Sequence, residues 1–285
     1  MMQANDVAPN AMPVVLSIAG SDSSAGAGIQ ADLKTLSALG VYGATVITAI
    51  TAQNSLGVSS VYTIPAAVVD AQLDAVLTDM PVRVIKTGML ASLDVMRRLV
   101  EKLPELPLVL DPVMISSSGF RLQPETCLVF LRKNLLPKAT LLTPNLSEAA
   151  MLLGTAEATS LEQVQAQARA LLAFGPAAVL LKGGHFVNDG PSKKFCIDVL
   201  ATSTDVKLYK TPRIVTGNTH GSGCTLASAI AAGLAKGHPL TAAVKNAKHY
   251  ITHAISGADL MRVGRGCGPV DHFHPFNRSN CEDNL

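Results

Sequence analysis

The sequence predicts an α/β fold in which a central, mostly parallel sheet carries helices on both faces and a hairpin at one edge. Three observations favour this class. Short runs rich in β-branched residues alternate with amphipathic segments along the 285 residues, as in βαβ units. The strand candidates are continuous apolar runs, which is typical of strands covered on both faces. Apolar residues make up 48% and charged residues 15% of the chain, enough apolar surface to fill a large core.

The chain begins its regular structure with a strand, a helix and a second strand. Residues 14–19 (VVLSIA) form an apolar run, and the stretch 20–24, which begins with Gly20, is expected to end that strand. The next segment is predicted to be helical because its apolar residues recur at helical spacing: Ile29, Leu33, Leu36 and Leu39. Residues 44–50 (ATVITAI) predict the second strand. A helix is then expected to run from Pro65 through Met80, since proline is favoured in a first turn. Its apolar face consists of Val69, Leu73, Val76 and Leu77.

Strands and helices alternate through the middle of the chain. The strand candidates are residues 83–88, 108–111, 140–143 and 178–182. Helical patterns fall between or after them, at residues 92–103, 124–135, 146–153 and 160–174. Two apolar runs flank the polar stretch Thr202–Asp205 and predict a hairpin at the sheet edge over residues 195–210. Two long helices are expected to follow, at about 222–236 and 239–256.

Composition limits the domain count, the partners and the compartment. No internal repeat or linker is visible, so residues 13–277 are expected to form one domain between tails at 1–12 and 278–285. The 23 basic and 21 acidic residues nearly cancel, which argues against nucleic acid or a membrane as a partner. The apolar stretches are too short for a membrane span, and the N-terminal residues lack the basic character of a secretory signal. Five scattered cysteines without a CxxC pair indicate neither zinc nor a disulfide framework, and the expected location is the cytoplasm.

The strongest local signal is a glycine-rich turn, NTHGSGCT at residues 218–225, before an alanine-rich stretch predicted to be a buried helix. Its glycines allow the backbone to approach a ligand closely, and the first N–H groups of the helix would face an anion. Cys224 would lie in the first turn, where a thiol has a lowered pKa and would act as a base or donate to a phosphoryl oxygen. The alternative is a tight loop with a buried structural cysteine. GxxxxGK[ST] is absent, which excludes a P-loop, and GxGxxG does not follow the first strand, which disfavours a Rossmann dinucleotide site.

Asn145 and Glu148 lie three residues apart at a predicted helix start and therefore share a face. Two interpretations of this spacing stay open. Oxygen ligands of this type suit a hydrated Mg²⁺ held partly by nucleotide phosphates. The same pair would also form an ordinary capping box. Lys182 ends a strand candidate, where its charge would either meet nucleotide phosphates or be solvated.

Seven segments, taken in order, resemble the hydroxymethylpyrimidine kinase and phosphomethylpyrimidine kinase family of thiamine biosynthesis. They are AGSDSSAGAGIQADLKTLSALGVYG (19–43), TAQNSLGV (51–58), KTGMLAS (86–92), LDPVM (110–114), TPNLSEA (143–149), LLKGGH (180–185) and NTHGSGCTL (218–226). The resemblance spans roughly residues 14–276. It implies a ribokinase-like fold and an enzyme that uses ATP and Mg²⁺. The implied reaction phosphorylates 4-amino-5-hydroxymethyl-2-methylpyrimidine and then its monophosphate.

The resemblance also assigns residues to the phosphoryl-transfer end of the site, which it places at Gly221, Ser222, Gly223 and Cys224. The amides of the first three would stabilise charge on the γ-phosphoryl oxygens, and Cys224 would accept the proton of the substrate alcohol. Nucleotide binding falls to Asn145, Lys182 and Thr219, and Mg²⁺ binding to Asp111 and Glu148. For Asp111 the alternative is an ordinary turn residue at a strand end.

The family pattern places the pyrimidine against Gly20, Asp32, Gln53, Met89 and Val113. Gln53 offers both a donor and an acceptor, which matches an aminopyrimidine edge, and Met89 would pack against the ring. For Asp32 the alternative is a carboxylate on a helix surface.

Several further expectations accompany this assignment. His185 and His220 are expected to be hydrogen-bonded loop residues without a catalytic role, and residues 187–193 have the composition of a flexible loop over the nucleotide. A homodimer is implied by the family. Two other functions stay open: a pyridoxal kinase of the same superfamily, and a non-catalytic nucleotide or pyrimidine sensor.

Overall fold

The computed structural model describes residues 11–115, 124–183 and 194–276, and its strands form one nine-stranded sheet. They are β1 (Val14–Asp22), β2 (Tyr42–Asn54), β3 (Gly57–Thr63), β4 (Val82–Thr87), β5 (Leu108–Leu110), β6 (Leu141–Leu142), β7 (Ala178–Leu181), β8 (Phe195–Thr202) and β9 (Val206–Pro212). The order across the sheet is β3-β2-β1-β4-β5-β6-β7-β8-β9. Strands from β2 through β7 in that order pair in parallel, whereas the pairs β2–β3, β7–β8 and β8–β9 are antiparallel. The predicted fold class is confirmed.

Both edges of the sheet are antiparallel. The hairpin expected over residues 195–210 is formed by β8 and β9. At the other edge β3 pairs with β2, and the sequence analysis did not predict it. The β3 sequence, GVSSVYT, contains no apolar run, and its side chains are half-buried or exposed. An edge strand obtains its hydrogen bonds from one neighbour and needs little burial, so the hydrophobic pattern does not mark it.

The first strand is longer than its sequence predicts. We expected a break at Gly20, and this was wrong because β1 continues through Asp22. Ser21 and Asp22 pair with Ile50 and Thr51 of β2 after a register shift. The neighbouring strand supplies backbone partners that local propensity does not reveal.

Helices cover both faces of the sheet. One layer contains α2 (Ala66–Asp79), α3 (Leu93–Lys102), α4 (Glu125–Phe130), α5 (Leu146–Leu153) and α6 (Leu161–Leu171). The other contains α1 (Gly28–Ala38), α7 (Ser222–Ala235) and α8 (Leu240–Ser256), and the short α9 (Ala258–Met261) follows α8. Along β1, Leu16 and Ile18 belong to the first core and Val15 to the second, as the twofold alternation of a strand requires. None of the described helices is long and apolar enough to cross a bilayer.

One predicted helix is divided. The pattern at residues 124–135 gives α4, then a π-helical turn at Leu131–Leu135 and a 3₁₀ turn at Leu136–Lys138. Pro137 lies in the 3₁₀ turn and has no N–H with which to extend an α-helix. The other predicted helices begin and end within a few residues of their expected bounds.

The topology gathers polar residues at the carboxyl edge of the parallel strands. Asp22 ends β1, Met89 and Asp111 follow β4 and β5, and Lys182 follows β7. Sheets of this class bind ligands at that edge. Some expected features lie outside the described residues: His185, the loop at 187–193, the C-terminal tail at 278–285 and most of the N-terminal tail.

Candidate active site

A cavity of about 630 Å³ opens at this edge of the sheet. Every residue that the sequence analysis placed in the site lines it except Asp32. The lining residues in question are Gly20, Gln53, Met89, Asp111, Val113, Asn145, Glu148, Lys182, Thr219, Gly221, Ser222, Gly223 and Cys224. They are far apart in the chain and meet because parallel strands end together and α7 begins beside them.

The glycine-rich turn packs backbone against backbone. Gly221 caps α7 with a φ of +76°, and a Cβ there would lie 1.8 Å from the carbonyl oxygen of Gly26. Only glycine fits this position. The amide of Ser222 donates to the Thr219 carbonyl at 3.1 Å, so it is already used within the turn. Gly223 lies in the first turn of α7, where N–H groups have no acceptor within the helix.

Two helix N-termini converge on the sulfur of Cys224. The residue lies in the first turn of α7, and the backbone N–H of Gly28, the first residue of α1, donates a hydrogen bond to it. Helix N-termini carry partial positive charge and favour anions. Cys224 lines the cavity and is partly exposed, so the alternative of a sealed structural cysteine does not apply.

Burial raises the pKa of Cys224 to about 11, above the ordinary thiol value. The Lys86 ammonium opposes this rise, whereas the carboxylates of Asp32 and Asp111 add to it. The prediction of a lowered pKa was therefore wrong, because the loss of water around the sulfur outweighs the helix N-termini. At neutral pH the side chain is mainly the thiol.

Asp32 lies behind Cys224 and does not reach the cavity. Its carboxylate is fully buried and accepts from Lys86 Nζ at 2.8 Å, Ser17 Oγ at 2.5 Å and Ser228 Oγ at 2.7 Å. The alternative of a surface carboxylate was wrong, and the expected direct contact with the pyrimidine has no support from this placement. The sequence analysis gave no role to Lys86. A lysine inside the apolar strand RVIKT was the available signal, since a buried lysine needs a partner.

A second ion pair joins the ends of β5 and β7. Lys182 Nζ donates to Asp111 Oδ1 at 2.7 Å, and the Thr143 hydroxyl donates to the same oxygen at 2.9 Å. Lys182 is only 14% exposed, so the alternative of a solvated lysine was wrong. Although burial disfavours its charge, the carboxylates of Asp111 and Glu148 raise the pKa of Lys182. A fixed cation therefore lines the cavity beside Gly223.

Asn145 and Glu148 form a capping box at the start of α5. Asn145 Oδ1 accepts a hydrogen bond from the backbone N–H of Glu148, and Glu148 Oε2 accepts one from the backbone N–H of Asn145, both at 2.8 Å. This alternative is confirmed. Burial raises the pKa of Glu148 to about 7, with Lys182 opposing and Asp111 adding to the rise. Two buried carboxylates that repel each other form an oxygen-rich patch, and this donor set fits a hard divalent cation.

One end of the cavity is mostly apolar. Met89 packs there with Ala49 and Val113, and a Cβ on Gly20 would lie 3.2 Å from the Met89 sulfur. The Gln53 side chain also lines the cavity, and its Oε1 accepts from Thr51 Oγ1 at 3.1 Å while its Nε2 lies 3.2 Å from His220 Nε2. The end therefore offers an apolar surface with one side-chain amide, which suits a planar heterocycle.

Asp22 and His220 form a buried pair that sequence reasoning missed. His220 Nε2 lies 2.8 Å from Asp22 Oδ2, and both residues line the cavity. Burial alone would raise the pKa of Asp22, but hydrogen bonds from His220, Ser24 and the Ala27 amide outweigh it and lower the pKa to about 2. His220 is a hydrogen-bonded loop residue, as expected. An aspartate directly after an apolar strand was the signal for Asp22.

A third buried cation marks another part of the cavity wall. Lys248 of α8 donates to Asp198 Oδ2 at 2.6 Å and lies 3.0 Å from the sulfur of Cys196. Asp198 Oδ1 also accepts from the Gly183 amide at 2.9 Å. These three side chains line the cavity, and no sequence motif pointed to them.

Comparisons with known proteins agree with this geometry. A family model described as phosphomethylpyrimidine kinase matches residues 22–271. A hydroxymethylpyrimidine/phosphomethylpyrimidine kinase of Rhizobium meliloti (strain 1021) is 49% identical over 263 residues, which cover 92% of this chain and 97% of the relative. A phosphomethylpyrimidine kinase structure from Clostridium difficile 630 has a TM-score of 0.74 and 42% identity, covering 85% of this chain and 99% of that one. A pyridoxal kinase structure from Staphylococcus aureus in complex with AMP-PCP and pyridoxal has a TM-score of 0.83 and 35% identity, and the match covers 93% of this chain and 94% of that one.

Proposed function

The chain belongs to the phosphomethylpyrimidine kinase family, and we propose that its cavity serves both phosphorylation steps of thiamine-pyrimidine synthesis. The protein is an ATP-dependent kinase with a ribokinase-like fold. It phosphorylates 4-amino-5-hydroxymethyl-2-methylpyrimidine and then the resulting monophosphate. The observation that carries this function is the cavity itself, whose lining combines the apolar side chains of Met89 and Val113 with Lys182, the glycine-rich turn and the thiol of Cys224.

In the first step the pyrimidine ring packs on Met89 and its amino edge meets Gln53. This pose directs the hydroxymethyl arm toward Cys224. The triphosphate lies against the glycine-rich turn, where the Gly223 amide and Lys182 stabilise charge that develops on the transferred group. The alcohol O–H bond breaks and its proton moves to the Cys224 thiolate. A new O–P bond forms while the bond from phosphorus to ADP breaks.

Asp111 and Glu148 are the residues that would hold Mg²⁺. Their mutual repulsion and burial fit a divalent cation, which reduces that repulsion. When bound, Mg²⁺ supplies positive charge next to the phosphate oxygens of the nucleotide. Asn145 contributes through the capping box, because its hydrogen bond fixes the turn that carries Glu148.

In the second step the nucleophile is a phosphate oxygen, which is already anionic at neutral pH and needs no base. The same cavity then has to accept a larger and more negative substrate. The helix N-termini and Lys182 favour such an anion. One site therefore serves both steps, and Cys224 is needed as a base only in the first.

A coupled assay tests this function. ADP formation is measured with the hydroxymethyl pyrimidine, with its monophosphate and with pyridoxal, in the presence of Mg²⁺. We expect turnover with the first two compounds. ADP formation at the same rate without any pyrimidine, or none with it, would reject the kinase.

Pyridoxal phosphorylation is the second candidate activity. It is favoured by the similarity to the Staphylococcus aureus pyridoxal kinase and by the apolar side chains of Met89 and Val113 in the cavity, which suit a planar ring. Competition separates the two activities, since a shared site makes each substrate inhibit phosphorylation of the other. The sensor alternative predicts binding of the pyrimidine without any ADP.

Three further assignments accompany this proposal. Residues 13–277 form one domain, which the continuous nine-stranded sheet supports.

The partners are small molecules and a second copy of the chain. Ile50 and Tyr62 pair across β2 and β3 and are 48% and 63% exposed, an apolar patch that a second copy would cover. Light scattering of wild type and Ile50→Lys tests the homodimer. The cytoplasm is the proposed location, and the free thiols of the described cysteines fit a reducing compartment.

A further inference from the structure

Lys86 and Asp32 form an ion pair that is completely withdrawn from water. Lys86 Nζ lies 2.8 Å from both carboxylate oxygens of Asp32, and both side chains are 0% exposed. Buried ion pairs of this kind contribute little to the free energy of unfolding, because apolar residues of similar volume often replace them without loss of stability. The pair therefore calls for a reason beyond holding the fold together.

The hydrogen bonds around Asp32 fix the pair in place. Ser17 of β1 donates to Oδ2 at 2.5 Å, and Ser228 of α7 donates to Oδ1 at 2.7 Å. With Lys86, three different elements thus hold the carboxylate of α1. The ammonium is in turn held at a fixed point in the core.

That fixed point lies directly behind the reactive sulfur. Ser228 is four residues after Cys224 on α7, so the two side chains share a face one helical turn apart. On the sheet side, Lys86 reaches back toward the end of β4, where a Cβ on Gly88 would lie 3.2 Å from Nζ. The ion pair therefore lies between the sheet and α7, where it contacts the helix one turn after Cys224.

We propose that Lys86 is a positioning residue for the first phosphorylation, with its ammonium held by Asp32 so that positive charge stands behind the sulfur of Cys224. The charge favours the thiolate, which accepts the proton of the substrate alcohol. This inference rests on the proposed function. Lys86 touches neither the cavity nor the reacting atoms and acts only through Cys224.

The charges around the sulfur agree with this role. Burial raises the pKa of Cys224, and Lys86 is the first among the groups that oppose the rise. Asp32 and Asp111 act in the opposite direction, and Lys182 is a further cation close enough to sense the thiolate. Lys86 itself stays charged, because Asp32, Cys224 and Asp111 outweigh its burial and raise its pKa.

The two partners of the pair therefore have opposite effects on the thiol, and this separates an electrostatic role from a structural one. Lys86→Met removes the positive charge and raises the pKa of Cys224. Asp32→Asn removes the negative charge but also the main partner of the Lys86 ammonium, so it lowers the pKa of Cys224 where Cys224 and Asp111 keep Lys86 charged and leaves it near the wild-type value where Lys86 loses its proton. If the pair served only to hold the fold, both substitutions would weaken the structure. Neither would then shift the pKa of Cys224 in a direction set by the charge that it removes.

Alkylation of Cys224 measures the effect without substrate or nucleotide. Each variant reacts with iodoacetamide at pH 8.5, and peptide mass spectrometry follows Cys224. A unit charge within roughly 10 Å shifts a pKa by about one unit at an effective dielectric constant near 20. We therefore expect Lys86→Met to slow alkylation about tenfold, whereas Asp32→Asn does not slow it. Cys127 is completely buried, so its alkylation in the same digest reports unfolding.

Matched controls come from an exposed pair with similar contacts. Lys102 Nζ lies 2.9 and 2.8 Å from the carboxylate oxygens of Asp74, far from the cavity lining. Lys102→Met and Asp74→Asn are expected to leave the alkylation of Cys224 unchanged. Where Lys86→Met exposes Cys127, Lys86→Gln replaces it, because its side-chain amide can still donate to Asp32 without the positive charge, and it must again slow the alkylation of Cys224.

Kinetics complete the test. In single-turnover assays Lys86→Met lowers the rate of the first phosphorylation by a similar factor, with little change in KM for the pyrimidine or in the second step. The inference is overturned if folded Lys86→Met alkylates Cys224 at the wild-type rate, or if Asp32→Asn slows the alkylation of Cys224 as much as Lys86→Met does. Because alkylation needs no turnover, failure of the kinase assay in the wild type would reject the proposed function instead.

Discussion

Cys224 should make the first phosphorylation strongly dependent on pH. Burial raises the pKa of its thiol to about 11. At pH 7 about one sulfur in ten thousand is then a thiolate, and at pH 8 about one in a thousand. Because the thiolate is the form that accepts a proton, the rate of the first step rises about tenfold for each pH unit between pH 7 and 9.

The second phosphorylation provides the internal comparison. Its nucleophile, the phosphate, is ionised throughout this range, so its rate changes little with pH. Cys224→Ala should lower the first step by about 10²- to 10⁴-fold, the usual contribution of a general base, and remove its pH dependence. Rapid-quench measurements under single-turnover conditions, with each pyrimidine as substrate, separate both steps from product release.

The matched control is Cys196→Ala, which removes another thiol from the cavity lining and whose sulfur contacts Lys248 rather than the turn before α7. This substitution should leave the pH dependence of the rate unchanged for both phosphorylation steps. Equal losses of the two steps in Cys224→Ala, or a flat wild-type profile for the first step, would refute the role of Cys224 as a base.

Three other predictions follow from single contacts. Gly221→Ala should destabilise the protein by about 2–4 kcal/mol in urea denaturation, since its Cβ would lie 1.8 Å from the Gly26 carbonyl. Gly237→Ala, also at positive φ but in open space, should cost only about 1 kcal/mol; equal costs would contradict the clash. Asp22→Asn should lose roughly 2 kcal/mol at pH 7, because the lowered pKa stabilises the fold above about pH 4 and this stability disappears as pH falls toward 2; a difference that is undiminished at pH 2 would contradict it. Gln53→Leu should lower kcat/KM for the pyrimidine roughly 10- to 100-fold in the coupled assay, and an unchanged value would remove Gln53 from substrate recognition.

The sequence was informative about the site where a residue's role is local. Gly221 marks a turn because only glycine tolerates its backbone geometry, and Asn145 with Glu148 marks a helix start because a capping box closes within four residues. Strand-end residues such as Asp111 were also found, since apolar runs reveal where strands stop. Each of these signals is contained in a short segment of chain.

The roles that sequence reasoning missed depend on partners far away in the chain. Asp32 reads as a surface carboxylate on α1, and only the packing of β4 against it brings Lys86 within 2.8 Å. The pKa of Cys224 was predicted in the wrong direction because the helix position is local, whereas the surrounding loss of water is a property of the folded core. His220 reaches Asp22 across the fold in the same way.

The order of apolar runs and turns determined by itself the α/β class, the parallel centre of the sheet and most of the helices, because burial on two faces imposes a pattern that each segment carries alone. Tertiary structure decided which charges are paired and whether the side chain of Cys224 is protonated at neutral pH. It also decided which side chains line the cavity. Those properties depend on distance and on exclusion of water between segments that are remote in sequence, and no local pattern encodes them.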